Sequence, residues 1–334
     1  MAQRLSTYLK NIYGEKVYRL SLSSGCSCPN RDGAIVYDEK TDTYHFDALA
    51  IDKTGLSGGC SFCSEGGSGE FAASFAPIDR QIDEAKARIL QKTDARKFIA
   101  YFQSYTNTYG DIDRLRALYL EAINREEIVA LSLGTRPDCI SSEMLDLLKE
   151  LNSIKPVWIE LGLQTIQEKT AKRINRGYKL DTFLDTYHKL KSIGITVIVH
   201  VILGLPGETK KDMLETVRFL SRLCPTLDGI KLQNLQILKG TRMYEEYLHE
   251  VNILEAASGK GNDAFIKCDF HIMSMEEYTD LIAECIALLP EKCVVHRMTG
   301  DGPRKLLVEP LWTLDKKRVL NMLTRKTKDL FKEV

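Results

Sequence analysis

Between residues 17 and 238 the chain keeps repeating one pattern: a short apolar run of strand character, then a longer stretch with apolar residues at helical spacing. The strand candidates are residues 17–22 (VYRLSL), 97–103, 128–133, 157–163, 195–203 and 229–238. Between them, Ile112, Leu115, Leu118, Tyr119 and Ala122 share one helical face within 111–125. A second helix, capped by Ser141 or Ser142, runs to Leu151, and a third ends near Arg176 and Gly177. Residues 180–193 are amphipathic and 209–223 read as helix. Strand–helix units recurring at roughly thirty- to forty-residue intervals predict an α/β fold with a parallel sheet, because each crossover helix must cover a sheet face. With right-handed crossovers and no sign of a reversal in strand order, a curved, partial (β/α)6 TIM-like barrel is favoured over an open doubly wound sheet.

Around this core the chain divides into an N-terminal segment (1–16), the barrel (17–250) and a small α/β C-terminal extension (251–334). The extension begins with a polar, glycine-containing loop at 255–263. An apolar-faced helix follows at 275–289, then a glycine-rich polar loop at 294–303 and a last helix at 315–331 bearing Lys316, Lys317, Arg318, Arg325, Lys326 and Lys328. Basic and acidic residues balance at 46 each, so no global field argues for nucleic acid, although a local basic patch remains open. The first residues are too polar for a signal peptide, and the most apolar run, 193–205, contains His200 and is too short to span a bilayer. A cytoplasmic, reducing environment is the expectation.

That expectation gives the cysteines their meaning. Cys139, Cys224, Cys268, Cys285 and Cys293 are scattered singly among apolar residues and read as structural thiols. The other four of the nine gather after the first strand: Cys26 and Cys28, then Cys60 and Cys63 in a glycine-rich loop. Thirty-one residues separate Cys28 from Cys60. Within them, residues 34–37 and 43–46 flank a polar turn, so an antiparallel hairpin can return the chain to its starting point. Four thiolates suit a closed tetrahedral zinc site, and a non-enzymatic, zinc-stabilised four-cysteine binding module follows from that. Three of them suit a [4Fe-4S] cluster with one iron left open. Only the second explains the glycines and the position at the C-terminal mouth of a barrel strand, where the active sites of such folds gather.

The run Cys28-Pro-Asn-Arg-Asp-Gly33, continued by the segment around Cys60, Phe62, Cys63, Gly66 and Gly67, resembles the radical S-adenosylmethionine (SAM) enzymes. It is most like the elongator-like branch and its YtqA/MnmL-type, YhcC-like family. The likeness continues through residues 101–109 (YFQSYTNTY), 134–138 (GTRPD), 160–164 (ELGLQ), 175–177 (NRG), 200–208 (HVILGLPGE), 239–241 (KGT) and 296–304 (HRMTGDGPR), nearly the whole chain. The resemblance implies a [4Fe-4S] cluster held by Cys28, Cys60 and Cys63, and cleavage of SAM to a 5′-deoxyadenosyl radical. It leaves Cys26 as an extra thiol and residues 34–57 as an insertion within the cluster loop. SAM contacts are expected from Phe62, Gly66, Gly67, Gln103, Thr135, Arg136, Gln164, Arg176 and His200. For Arg176 the competing role is a helix C-terminal cap. His296, Arg297, Asp301 and Arg304 are the expected substrate contacts. By the same resemblance the substrate is tRNA, at the wobble uridine side chain (carboxymethylaminomethyl to aminomethyl), with a reductant such as flavodoxin or ferredoxin and no membrane partner. The alternative within the radical SAM class is a peptide or small metabolite.

Overall fold

The computed structural model describes residues 1–51, 58–64, 66, 75–258 and 268–332, with residues 254–258 described through their backbone alone. The strands are β1 (Gln3–Arg4), β2 (Val17–Leu22), β3 (Ile35–Asp38), β4 (Thr43–Phe46), β5 (Lys97–Phe102), β6 (Ile128–Thr135), β7 (Val157–Gln164), β8 (Thr196–Leu203), β9 (Gly229–Asn234), β10 (Ile237–Leu238), β11 (Val294–Arg297) and β12 (Leu307–Glu309). Eight of them form one sheet in the order β1-β11-β9-β8-β7-β6-β5-β2, every neighbouring pair parallel. The sheet curls into a partial barrel, and the strands expected from the sequence supply its run from β2 to β9.

Helices cover the outer face: α1 (Leu5–Tyr13), α2 (Ile78–Leu90), α3 (Ile112–Ile123), α4 (Ser142–Ile154), α5 (Glu168–Arg173), α6 (Leu180–Ser192), α7 (Lys210–Ser221), α8 (Arg242–Ser258), α9 (Met275–Leu288) and α10 (Lys316–Thr327). Their starts follow side-chain chemistry. Ser141 caps α4 by accepting from the Met144 amide, and reciprocal capping boxes open α7 (Thr209 with Asp212) and α9 (Ser274 with Glu277). Outward-facing strand residues such as Leu20, Phe98, Leu131, Ile159, Val199 and Leu232 are fully buried against this helical layer. No helix among the described residues is long and apolar enough to cross a membrane.

Several sequence expectations change here. Residues 294–303 are not a loop throughout, because the first four form β11 beside β9. His296 and Arg297 disguise that strand; both turn toward polar partners on other strands, so the usual apolar signal is missing. The sixth expected strand is two: β9 stays in the barrel, and β10 leaves it to pair antiparallel with β12. Residues 255–258 continue α8 rather than opening a loop, and 259–263 lie outside the described residues. The last helix ends at Thr327, followed by a 3-10 turn, and Phe331 then bridges to Ala2. The N-terminal segment joins the sheet through β1. Its helix α1 brings Leu5, Tyr8, Leu9 and Tyr13 against Ile99, Ala130, Trp158 and Ile198, closing the N-terminal end of the barrel with apolar surface. Apolar packing fills much of this end, and a cavity of about 330 Å3 bordered by Tyr8, Trp158, Asp228 and His296 remains beside α1.

Candidate active site

The cysteine loop sits at the open, C-terminal end. The hairpin forms as expected, β3 pairing antiparallel with β4 from Ile35–Phe46 to Asp38–Thr43, and the Asp47 amide closes it onto Ala34 O at 2.8 Å. Residues 52–57 of the insertion lie outside the described residues. The returning chain is then tied to its start, the Gly59 amide donating to Asn30 O at 2.6 Å. Asn30 Nδ2 donates to Asn175 O at 2.7 Å and Asn175 Nδ2 to Gly59 O at 2.9 Å, so the loop is latched to the turn after α5. A Cβ at Gly58 would lie 1.9 Å from Asn30 O, a backbone atom that cannot move without breaking this latch. Gly58→Ala is therefore expected to lower cluster retention about tenfold, or about 1.4 kcal/mol, through this steric clash. Iron per chain after anaerobic reconstitution and desalting measures it, and wild-type retention would refute this account of the loop.

Cys28, Cys60 and Cys63 line one cavity of about 270 Å3, and Cys26 does not. Cys26 belongs to the apolar core, where its Sγ accepts from Arg114 at 3.2 Å. Around Cys60, the thiol of Cys63 is the strongest of several influences, with Arg136, Asn30 and Arg176, that hold its pKa down at about 7 against the effect of burial. Arg136 is itself anchored, donating to both carboxylate oxygens of Asp138 at 2.9 and 2.6 Å and to Arg176 O at 2.8 Å.

The same cavity gathers most of the residues expected to contact SAM: Phe62, Gln103, Thr135, Arg136, Gln164, Arg176 and His200. Gln164 ends β7 with a φ of 68°, and its Oε1 is buried with no partner among the described residues. A left-handed glutamine carrying an orphaned acceptor is strain retained at a site rather than packing. Arg176 is 1% exposed, and its guanidinium donates to Leu163 O, Thr165 O and Tyr178 O. It braces the end of β7 with donors that are already occupied. Gly66 is half-buried, and Gly67 lies outside the described residues.

Beneath the mouth lies a polar layer that the sequence reading mostly passed over. Glu160 on β7 is fully buried. It is paired with Lys231 of β9, accepts from His200 of β8 at 2.9 Å and from Ser132 of β6 at 3.1 Å, and stands 3.7 Å from Arg19 of β2. Lys231 also donates to the Tyr101 hydroxyl of β5 at 3.0 Å. Burial favours the protonated Glu160, but Lys231 and Arg19, with His200, outweigh it and hold the carboxyl well below its usual range. Burial and the nearby Lys231 draw His200 down to about 4, so at neutral pH it is an uncharged ring. Tyr101, Glu160, His200 and Gln233 form the cavity floor. The missed residues carried a signal: polar side chains every second position in otherwise apolar strands (Tyr101 and Gln103, Lys231 and Gln233) mark the inner face of a barrel.

The four expected substrate residues separate. His296 is in the barrel interior, its Nδ1 2.8 Å from Arg19 and its ring against Trp158. Arg297 donates to Gln233 Oε1 at 3.3 Å, immediately behind the floor. Asp301 is instead paired with Lys316 at 3.0 Å, and Arg304 is exposed.

Residues 54–220 match the model of the radical SAM superfamily, and residues 262–329 match the Radical_SAM C-terminal domain. Over 322 residues the chain is 34% identical to YtqA of Bacillus subtilis, covering 96% of this chain and 88% of that protein. The chain belongs to the radical SAM superfamily. It is also 35% identical over 302 residues to YhcC of Escherichia coli, covering 90% of this chain and 84% of that one. The solved structure of the archaeal Methanocaldococcus infernus Elp3 shares the fold, with a TM-score of 0.61 at 17% identity over 76% of this chain and 59% of that one. Radical SAM membership brings a [4Fe-4S] cluster and SAM as cofactors.

Proposed function

We propose that Cys28, Cys60 and Cys63 hold the [4Fe-4S] cluster of a tRNA-modifying radical SAM enzyme. The observation that carries the ligand set is the convergence of these three thiols on one cavity while Cys26 is turned into the core. The residues suit a cluster better than a lone ion. Among the described residues, no group of three or more cysteine, histidine or acidic side chains is gathered tightly enough to enclose a single metal, whereas cluster thiolates each bond a different iron. The bound cofactors supply one-electron cleavage of the sulfonium bond, with the electron from a flavodoxin- or ferredoxin-type protein. This chain's own residues position and enclose. Phe62 and Gln103 line the same cavity as the thiols, Gln164 offers its orphaned oxygen as an acceptor, and Arg136 keeps positive charge beside Cys60.

The substrate reading, wobble uridine of tRNA at the carboxymethylaminomethyl-to-aminomethyl step, rests on the elongator-like resemblance. Helix α10 supports it. Lys317, Arg318 and Arg325 are exposed, form no ion pair among the described residues, and line a surface groove of about 440 Å3. Unpaired cations on one exposed helix, with Asp315 as the acidic residue of the groove, suit contact with a phosphate backbone. In this reading the C-terminal extension is the tRNA-contacting part of the chain. The test is anaerobic reconstitution, reduction in the presence of SAM, and nucleoside mass spectrometry of tRNA incubated with the enzyme. Release of 5′-deoxyadenosine together with conversion of the carboxymethylaminomethyl nucleoside is expected. Release of 5′-deoxyadenosine with every tRNA nucleoside unchanged would favour a peptide or small metabolite instead.

A further inference from the structure

We propose that Asn30 sets how readily the cluster takes up an electron, by donating a hydrogen bond to the sulfur of Cys60. The inference deepens the radical SAM reading and rests on Cys60 being a cluster ligand; it is independent of the substrate.

Three observations carry it. First, the donor is aimed. Asn30 Nδ2 lies 3.7 Å from Cys60 Sγ, close enough for an N–H···S bond. The same nitrogen donates to Asn175 O at 2.7 Å, which settles the orientation of the amide: flipped, its oxygen would face that carbonyl oxygen. An amide nitrogen carries two hydrogens, so both bonds form at once. Second, the donor is shielded. Asn30 is 2% exposed, so water does not compete for its hydrogens. Third, the donor is held from more than one side. Its own carbonyl accepts the amide of Gly59, the residue before Cys60, at 2.6 Å. Gly177 packs against it without a side chain, since a Cβ there would stand 2.9 Å from Asn30 Oδ1.

Bonded to iron, the Cys60 sulfur is a thiolate, the stronger form of acceptor. Reduction adds one electron to the cluster, supplied by the flavodoxin- or ferredoxin-type protein, and part of the added charge falls on the thiolates. A buried N–H pointed at one of them favours the reduced state over the oxidised one and raises the reduction potential. Asn30 is also the residue to which the returning loop is tied, so the cluster gains this donor only when the loop is closed.

The experiment is a redox titration of the reconstituted protein without SAM, followed by the EPR signal of the reduced cluster. In Asn30→Ala the ratio of reduced to oxidised cluster at the wild-type midpoint is expected to fall about tenfold, a shift of about 59 mV to more negative potential. Asn30→Asp, which keeps the size and exchanges the donor for an acceptor, is expected to shift at least as far in the same direction. Asn175→Gly separates this effect from loop closure. It removes the bond from Asn175 Nδ2 to Gly59 O, keeps the carbonyl that orients Asn30, and suits the left-handed backbone at position 175 (φ 51°). This variant is expected to lose cluster iron on desalting, while the cluster it keeps titrates at the wild-type potential. A midpoint at or above the wild-type value in either Asn30 variant, or an equal shift in Asn175→Gly, would overturn the proposal and leave the ligand assignment in place. A full cluster in Cys60→Ala would remove both. If neither Asn30 variant retains a cluster, wild type labelled with nitrogen-15 at its asparagine side-chain amides decides by pulsed EPR. Coupling of an amide nitrogen to the reduced cluster supports the bond, and its absence overturns it.

Discussion

Cys28→Ala, Cys60→Ala and Cys63→Ala are each expected to reduce cluster iron and SAM cleavage to background, whereas Cys26→Ala should keep a full cluster and active cleavage. The contrast is sharpest between the two thiols nearest in sequence. Cys26 and Cys28 are two residues apart at the end of β2, where the chain leaves the barrel, and their side chains go to opposite environments. Removing Cys26 Sγ deletes a buried atom and the acceptor for Arg114, at a cost of about 1–2 kcal/mol in stability. Removing a cavity thiol would, in the proposed assignment, delete a cluster ligand. Iron and sulfide analysis, the visible absorbance of the reconstituted protein and 5′-deoxyadenosine release measure all four variants. A Cys26→Ala protein that folds but holds no cluster would reverse the ligand assignment.

Lys231→Met is expected to destabilise the protein by about 3–5 kcal/mol, because it leaves the fully buried Glu160 carboxylate without its main counter-charge. Glu160→Gln should also destabilise, though less, because burial with Arg19 and Arg297 already pushes the Lys231 pKa well down and the unpaired amine sheds its proton. The double variant Glu160→Gln/Lys231→Met removes both charges together and is expected to recover at least half of either loss. Urea unfolding of the three proteins at one pH and ionic strength gives the coupling between the two sites. Losses that simply add would mean that the two groups do not act as a pair, and that the polar layer is stabilised mainly by its remaining hydrogen bonds. The expected non-additivity would show that the two buried groups act as one pair.

Much of this molecule was legible before its coordinates. The barrel strands from residue 17 to 234 follow from apolar runs at regular intervals, because strands buried on both faces must be apolar over much of their length. The hairpin was readable from two strand-like runs flanking a polar turn, and its closure brings Cys28 and Cys60 to one place. The misses have two causes. β1 is hidden by its length of two residues, while polar residues within strands conceal β11 (His296 and Arg297) and the charged floor. The latter two become intelligible once the inner face of the barrel is known to be polar.

The sequence by itself determined the class of fold, the cysteine loop and the family signature, because these depend on residue types and on spacings along one local stretch of chain. Only the tertiary structure decided which thiols share a cavity, which end of the barrel α1 packs against, and that Arg19, Glu160, His200, Lys231 and Arg297 form one cluster. Those residues lie on different strands, separated by up to 278 positions in the chain. What joins them is the curl of the sheet, which sets the inward-facing positions of different strands within a few ångströms of one another.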